Sequence, residues 1–112
     1  MKNINWDDFK KIEIRVGTII KANASPDAIK PAYQLKIDLG EKIGIKRSSA
    51  QITDIYSTKE LLGKQVIVVV NLFPKKIGSF ISECLITGFH KKNKNVILAV
   101  PDKNITNGAL LV

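Results

Sequence analysis

Two adjacent lysines and two nearby phenylalanines form the part of this sequence with the most evident capacity for chemistry. Lys75 and Lys76 stand between Phe73 and Phe80, in a Pro- and Gly-containing loop that joins two hydrophobic strand patterns. Ammonium groups beside aromatic rings can hold a phosphate backbone and stack a base. The alternative is that both rings close the end of a barrel and that the lysines are only solvated. We take all four residues as candidate ligand contacts.

A second candidate group lies where the third predicted strand ends, at Lys46, Arg47 and Ser48. A guanidinium group can bind one phosphate through two parallel hydrogen bonds, which an ammonium group cannot do. The same pattern is also typical of an exposed strand end whose arginine forms a surface ion pair, here with Glu41 or Asp38. Both interpretations stay open, and the three residues are kept as candidate ligand contacts.

Ser82 and Glu83 form a polar pair within the fifth predicted strand, where apolar residues are expected. If the pair is exposed on a binding face, both side chains can hydrogen-bond to a base. If Glu83 is buried, it needs a cationic partner, and Arg15 is the candidate that the sequence offers. No nucleophile or metal-ligand cluster accompanies Glu83 in the sequence, so it is not assigned as a general base.

The residue content disfavours several classes of site. Cys84 is the one cysteine and His90 the one histidine, so we predict neither an intramolecular disulfide nor a zinc site. A buried thiol that acts as a small hydrophobic side chain is the preferred interpretation for Cys84. The sequence also has no Gly-rich phosphate-binding motif. We therefore predict no metal, no cofactor and no enzymatic activity.

Composition indicates a single cationic domain. The chain has 112 residues, enough for one domain with a core, and a formal net charge of +8. Such a surface attracts anionic partners through counterion release, although lysine-rich surfaces are also common without that role. No run of about 18 apolar residues is present, so membrane insertion is not expected. Residues 1–8 lack the apolar core of a signal peptide, and we expect a cytoplasmic location.

Two short helices are predicted from capping signals. Asn5 can cap a helix whose first turn carries Asp7 and Asp8, so a helical N-terminal extension is expected over about residues 4–11. Ser57 and Glu60 have the spacing of a capping box at the start of the second helix, which Gly63 then stops.

The remaining pattern predicts strands. They are expected over residues 12–21, 33–39, 43–48, 66–70 and 81–89, followed by a hairpin strand over 96–100. Five strands with a helix between the third and the fourth have the order of an OB-fold barrel. We therefore predict an all-β protein with short helices. It is a single domain over residues 1–112, built as a five-stranded OB-fold barrel with the N-terminal extension and a C-terminal extension over about residues 96–112.

Several short segments of the chain are weak signals individually, but their combination in this order is specific. They are Ile14-Arg15-Val16-Gly17, Lys30-Pro31-Ala32-Tyr33, Ser48-Ser49-Ala50-Gln51-Ile52-Thr53, Asn71-Leu72-Phe73-Pro74-Lys75-Lys76-Ile77 and Ser82-Glu83. Together they resemble the tRNA-binding-domain family over nearly the whole chain. Within that family, the second and third segments are most similar to the stand-alone CsaA-type members, described as export-related chaperones.

This resemblance implies an OB-fold core, tRNA as the ligand of the family, and unfolded or secretory polypeptides as ligands of the CsaA-type branch. It also implies a homodimer built with the N-terminal and C-terminal segments. The apolar residues expected at that interface are Ile4, Trp6, Phe9, Leu110 and Leu111. Packing of the same side chains on their own barrel is the alternative.

Two functional hypotheses remain. The first is a dimeric, non-enzymatic CsaA-like protein that binds tRNA, unfolded polypeptides or both, as a chaperone linked to protein export. An apolar pocket lined by Phe73, Ile77, Phe80 and Ile81 would then receive the polypeptide. The second is a purely RNA-binding OB-fold module that acts as a tRNA-binding accessory protein without chaperone activity.

Overall fold

A computed structural model describes residues 1–26 and 29–112 of the chain. The elements in this part are α1 (Trp6–Lys10), β1 (Ile14–Ala24), β2 (Tyr33–Asp38), α2 (Gly40–Ile43), β3 (Ile45–Ala50), α3 (Thr58–Leu61), β4 (Gln65–Val69), β5 (Lys75–Ile77), β6 (Phe80–Ser82), β7 (Leu85–Ile86), β8 (Gly88–His90) and β9 (Val96–Leu98). None of the helices described is long and apolar enough to cross a membrane.

The centre of the fold is a five-stranded antiparallel sheet in the order β3-β2-β1-β4-β7. β1 is long enough to serve two neighbours, because residues 14–18 pair with β4 and residues 18–24 pair with β2. A register shift between Ile19 and Lys21 marks a bulge, which bends the strand and increases its twist. Gly17 lies just before this bend. A Cβ atom there would lie 2.5 Å from a side-chain atom of β2, so glycine permits the close approach.

The sheet curls into a nearly closed barrel because the segment after β6 contacts β3. The Glu83 N–H donates to the Arg47 carbonyl oxygen at 2.8 Å, and the Ser49 N–H donates to Ser82 Oγ at 3.0 Å. We call this line of contacts between residues 47–49 and 82–84 the seam. The predicted fold class is confirmed, since the chain is mostly β with short helices and forms a five-stranded, OB-like barrel.

Aliphatic side chains fill the interior of the barrel. The fully buried ones are Ile19, Leu35, Ile37, Leu39, Leu61, Val66 and Val68. On β2, Leu35 and Ile37 alternate with residues that are more exposed, as expected for a strand with one face toward the core. α3 packs on the barrel through Leu61, which belongs to the same buried cluster.

Both predicted helices begin at the expected caps. Asn5 Oδ1 accepts a hydrogen bond from the Asp8 N–H at 2.8 Å. The Ser57 N–H donates to Glu60 Oε1 at 2.7 Å, and the Glu60 N–H donates to Ser57 Oγ at 3.2 Å, which completes the capping box. The short helix α2 was not expected. It follows a turn in which Asp38 Oδ1 accepts from the Gly40 N–H at 3.0 Å.

The connection from β4 to β8 differs from the prediction in two ways. The expected basic loop contains a hairpin, β5–β6, in which Lys75 lies opposite Ser82. Its two-residue turn begins at Gly78, whose φ of +60° suits the first central position of a type II′ turn. The single strand expected over residues 81–89 is wrong. It is divided into β6, β7 and β8. The break between β6 and β7 falls at residues 83–84, which form the seam, and β7 and β8 are separated at Thr87.

The two ends of the chain lie beside the start of β1. Asn71 Nδ2 donates to the Lys11 carbonyl oxygen at 2.7 Å, and Asn71 Oδ1 accepts from the Glu13 N–H at 2.9 Å. On the other edge of β1, the Leu111 N–H donates to the Ile14 carbonyl oxygen at 2.8 Å. The N-terminal segment is therefore anchored to Asn71 after β4, and the C-terminal segment is anchored to the first residues of β1.

Candidate nucleic-acid-binding groove

A groove of about 550 Å³ opens between the β1–β2 loop, the end of β3 and the β5–β6 hairpin. Its lining residues are Ile29, Lys30, Ala32, Ser49, Gln51, Lys75, Lys76, Ile77 and Gly78. In OB-folds, the loop between the first two strands and the loop between the last two border the binding face. The β1–β2 loop and the hairpin occupy these two places. We call this space the basic groove, because lysine supplies all the charged groups among its described lining residues.

The hairpin and the β1–β2 loop bring three ammonium groups to the basic groove. Lys75 and Lys76 come from β5, and Lys30 comes from the opposite wall. All three are exposed, and within the described part of the chain none of them has a carboxylate oxygen within 4.0 Å. Their charges are consequently not neutralised by the protein and are available to an anionic ligand.

The basic groove adjoins a second space of about 300 Å³ whose lining has more apolar side chains. The two spaces share Ser49, Gln51, Lys75 and Ile77, and the second adds Leu72, Phe73, Ser82, Cys84 and Leu85. We call the second space the apolar end. Phe73 is 98% exposed there, so the interpretation that its ring closes the barrel is wrong. An exposed phenylalanine beside lysines offers a flat surface for a base or for an apolar side chain.

Phe80 lies on a different surface from Phe73. It is half-buried, and the Arg47 guanidinium lies 5.6 Å from the centroid of its ring. These two residues line a separate space of about 240 Å³ together with Lys21 and Lys36. The predicted pocket of Phe73, Ile77, Phe80 and Ile81 is therefore wrong, because only the first two of these residues line one space.

Arg47 and Glu83 bind each other across the seam. Arg47 Nε lies 3.2 Å from Glu83 Oε1, which also accepts from the Arg47 backbone N–H at 3.0 Å. Glu41 and Asp38, the ion-pair partners considered for Arg47, are therefore not its partners. The expected pairing of Glu83 with Arg15 is also wrong, since Arg15 Nε binds Glu13 Oε2 at 3.1 Å.

These contacts change the protonation behaviour of Glu83. The backbone hydrogen bond from Arg47 is the main cause that lowers the pKa of Glu83 below its ordinary value of 4.5. The side-chain hydrogen bond and the positive charge of Arg47 act in the same direction, while partial burial opposes them. Glu83 is thus held ionised as an acceptor for Arg47, which makes it a structural group of the barrel.

The two candidate serines also serve the barrel. Ser82 Oγ accepts from the Ser49 N–H at 3.0 Å and donates to the Cys84 carbonyl oxygen at 3.3 Å. Ser48 is fully buried on β3, so the prediction that its side chain contacts a ligand is wrong. Lys46 lies on β3 opposite Ile37 and is not among the described residues that line the basic groove.

Cys84 is buried at the seam, as expected. Desolvation raises the pKa of its thiol to about 12, and Sγ lies 3.6 Å from the Arg47 carbonyl oxygen. A thiol with this pKa is almost entirely protonated at neutral pH and is a poor nucleophile. Among residues 1–26 and 29–112, no group of three or more His, Cys, Asp or Glu side chains has a metal-binding arrangement.

Sequence reasoning missed Lys30 and Gln51 as groove residues. Both lie outside regular strands, and neither is part of a charge cluster. They do belong to two of the segments that carry the family resemblance, Lys30-Pro31-Ala32-Tyr33 and the segment that ends in Gln51-Ile52-Thr53. The family resemblance of these two segments was the signal that could have identified both residues. Lys30 lies in the β1–β2 loop, and Gln51 directly follows β3.

Comparison with known proteins agrees with this fold. Residues 14–110 match the family described as "Putative tRNA binding domain", and the chain belongs to that family. The chaperone CsaA of Bacillus anthracis superposes with a TM-score of 0.93 at 37% identity, covering 99% of this chain and 100% of that one. CsaA of Picrophilus torridus superposes with a TM-score of 0.92 at 46% identity, covering 98% and 100%. The fold is therefore CsaA-like.

The chain is also similar to part of a larger enzyme. It is 42% identical over 108 residues to the methionine–tRNA ligase of Leptospira biflexa. The match covers 96% of this chain and 15% of the ligase, so the chain spans a small fraction of that relative.

Proposed function

We propose that the chain is a non-enzymatic, cytoplasmic binding protein that holds tRNA in the basic groove. The observation that carries this proposal is the position of Lys30, Lys75 and Lys76, without carboxylate partners among the described residues, on the two loops that border an OB-fold face. The ammonium groups neutralise phosphates, and Phe73 provides a stacking surface for a base. The family to which the chain belongs supports tRNA as the ligand.

A salt series tests this assignment. Lys75→Ala/Lys76→Ala removes two phosphate contacts. The negative slope of log affinity for bulk tRNA against log salt should therefore become less steep by about 1.5. The matched control is Lys42→Ala/Lys59→Ala, which removes the same charge from exposed positions on α2 and α3. If the hairpin variant binds tRNA as the parent does, the groove is not the RNA site.

We also propose that unfolded or secretory polypeptides bind at the apolar end, which would make the protein a chaperone linked to export. Leu72, Phe73, Ile77 and Leu85 present apolar surface beside Lys75 in one open space. Small exposed apolar patches of this kind take extended apolar side chains, and the nearby charge favours acidic flanks. The CsaA proteins that share the fold are named chaperones, which supports this second ligand.

The alternative is an RNA-binding module without chaperone activity. It is favoured by the exposure of the lysines and by the similarity to part of a tRNA ligase. Binding of an unstructured acidic polypeptide to Phe73→Ala separates the two functions. If the protein is a chaperone, the parent binds the polypeptide and Phe73→Ala binds it more weakly. If the protein is a pure RNA-binding module, neither the parent nor the variant binds the polypeptide measurably.

We further propose a homodimer formed by the terminal segments. Trp6 is 80% exposed, Ile4, Leu110 and Leu111 are also exposed, and Phe9 is half-buried. Packing on their own barrel thus leaves much of this apolar surface in water, which a second copy would cover. Because each copy carries one basic groove, the dimer would place two grooves on one particle and raise the effective concentration for a bulky ligand.

Light scattering at micromolar concentration tests the dimer. The parent should have the mass of two chains, and Trp6→Asp should shift it toward one chain by placing a charge in the apolar contact. A parent with the mass of a single chain would exclude this dimer.

A further inference from the structure

A third space of about 220 Å³ lies between the β1–β2 loop, the chain that follows β3, and the tip of the β8–β9 hairpin. Its lining includes Lys30, Gln51, Lys94 and Asn95. The first two also line the basic groove, so the two spaces adjoin on one surface. We call the third space the tip cleft. The apolar end, the basic groove and the tip cleft therefore adjoin one another through shared lining residues.

The backbone at the hairpin tip holds Lys94 in an unusual conformation. Its φ is +70°, in the left-handed region that glycine and asparagine adopt far more readily than lysine. The Lys94 N–H donates to the Lys91 carbonyl oxygen at 2.9 Å, and the Lys91 N–H donates to the Asn95 carbonyl oxygen at 2.7 Å. A tight turn thus fixes the position at which this side chain leaves the backbone. A lysine at a place suited to glycine points to a use for its charge.

The charge around the tip cleft is mainly positive. Lys91, Lys92 and Lys94 are all exposed at the hairpin tip. Lys94 lines the cleft, and Lys30 lines it from the β1–β2 loop. Asp54 is the carboxylate among the lining residues of the cleft. It forms no ion pair within 4.0 Å with any of the described residues, so the lysines keep their charges. An anionic strand that leaves the basic groove beside Lys30 would therefore meet further positive charge.

We propose that the tip cleft and the β8–β9 hairpin extend the RNA site, so that the strand bound in the basic groove continues past Lys30 and places a phosphate against Lys94. This inference rests on the proposed function of the basic groove. It assigns a binding role to a hairpin outside the barrel face. It also explains why a lysine occupies a left-handed position.

The test replaces Lys94 by the residue that its backbone conformation prefers. Lys94→Gly removes one charge and relieves the conformation, so the unfolding midpoint should stay equal or rise. The slope of log tRNA affinity against log salt should become less steep by about 0.8, so that between 50 and 200 mM salt the variant should lose about threefold less affinity than the parent loses. Lys94→Arg keeps the charge and should retain tRNA affinity.

The control is Lys103→Gly, which removes the same charge from an exposed bend. Lys103 lines a separate space with Gly63 and Pro101 that shares no described residue with the tip cleft. If Lys94→Gly and Lys103→Gly change tRNA affinity equally, the effect is one of net charge and the extended site is excluded.

Two further results separate this inference from the proposed function. If Lys75→Ala/Lys76→Ala weakens tRNA binding and Lys94→Gly does not, the strand ends in the basic groove and only the extension is overturned. If neither variant weakens binding, both assignments are overturned. If Lys94→Gly weakens binding of an acidic unstructured polypeptide and leaves tRNA binding unchanged, the tip cleft receives a polypeptide and the RNA inference is wrong.

Discussion

The seam and the basic groove are two polar regions that meet at Ser49, and they use their other polar groups in opposite ways. At the seam, Arg47, Glu83 and Ser82 each find partners within the chain. At the groove, Lys75 and Lys76 find no carboxylate among the described residues. Both regions carry residues that looked like ligand contacts in the sequence. The difference shows that a polar residue near a binding face is a candidate contact only if the fold leaves it unpaired.

The seam needs polar side chains because the barrel closes where regular strand pairing ends. β7 pairs with β4 but has no ladder with β3, and residues 83–84 are not in a strand. Backbone N–H groups of β3 would lack partners there, and such groups are costly to leave unsatisfied in a folded interior. Glu83 Oε1 and Ser82 Oγ accept from the N–H groups of Arg47 and Ser49 and so replace the missing ladder.

The largest effect expected from this comparison is on stability at the seam. Glu83→Ala removes the acceptor for the Arg47 backbone and side chain, and it should lower the free energy of unfolding by about 2 kcal/mol. tRNA affinity of the folded protein should stay within about twofold of the parent, because the Glu83 carboxylate is engaged by Arg47 within the chain. Urea unfolding and tRNA titration at the same salt concentration measure the two quantities.

The opposite result would contradict the division between a structural seam and a binding groove. If Glu83→Ala unfolds like the parent and loses tRNA affinity about tenfold, Glu83 belongs to the binding site. Lys75→Ala/Lys76→Ala is the matched reference for stability and should unfold within about 0.5 kcal/mol of the parent, since both residues are exposed.

A smaller effect is expected at Ser82, which lines the apolar end and also serves the seam. Ser82→Ala leaves the Ser49 N–H without its acceptor and should cost about 1 kcal/mol of unfolding free energy. Because the hydroxyl is engaged within the chain, tRNA and polypeptide affinities should change little. A loss of ligand affinity with unchanged stability would instead place this hydroxyl in contact with a ligand.

The smallest effect concerns pH. The pKa of Glu83 is lower in the folded chain than its ordinary value of 4.5, so ionisation of Glu83 stabilises the fold above that value. This stabilisation is lost as the pH falls from about 4.5 through the lowered folded pKa. Glu83→Gln does not titrate, so the difference in unfolding free energy between parent and variant should shrink over that range. A difference that stays constant from pH 7 to acid would show that the charge of Glu83 does not stabilise the barrel.

The fold was predictable because its signals are local. The capping residues Asn5, Ser57 and Glu60 act within one helical turn, and the strand alternation reflects one buried face per strand. The β5–β6 hairpin was also within reach, since Gly78-Ser79 is a two-residue turn of the kind that joins hairpin strands. It was missed because Pro74 and the two lysines suggested a loop.

The pairing at the seam was not predictable from the sequence. Arg47 and Glu83 are 36 positions apart, and their contact depends on how the curled sheet closes, which no local pattern encodes. The burial of Ser48 has the same origin, because β3 lies against the segment that closes the barrel. The sequence likewise predicted one pocket that contains both Phe73 and Phe80. In the structure the two rings line different spaces.

The most direct measurement of the central claim is a crossed comparison of three proteins: the parent, Lys75→Ala/Lys76→Ala and Glu83→Ala. Each is assayed for urea unfolding and for tRNA affinity across a salt series. We predict that the lysine variant loses salt-dependent tRNA affinity and keeps its stability, while the Glu83 variant loses stability and keeps its tRNA affinity. If both variants lose the same property, the seam and the basic groove do not divide structure from binding.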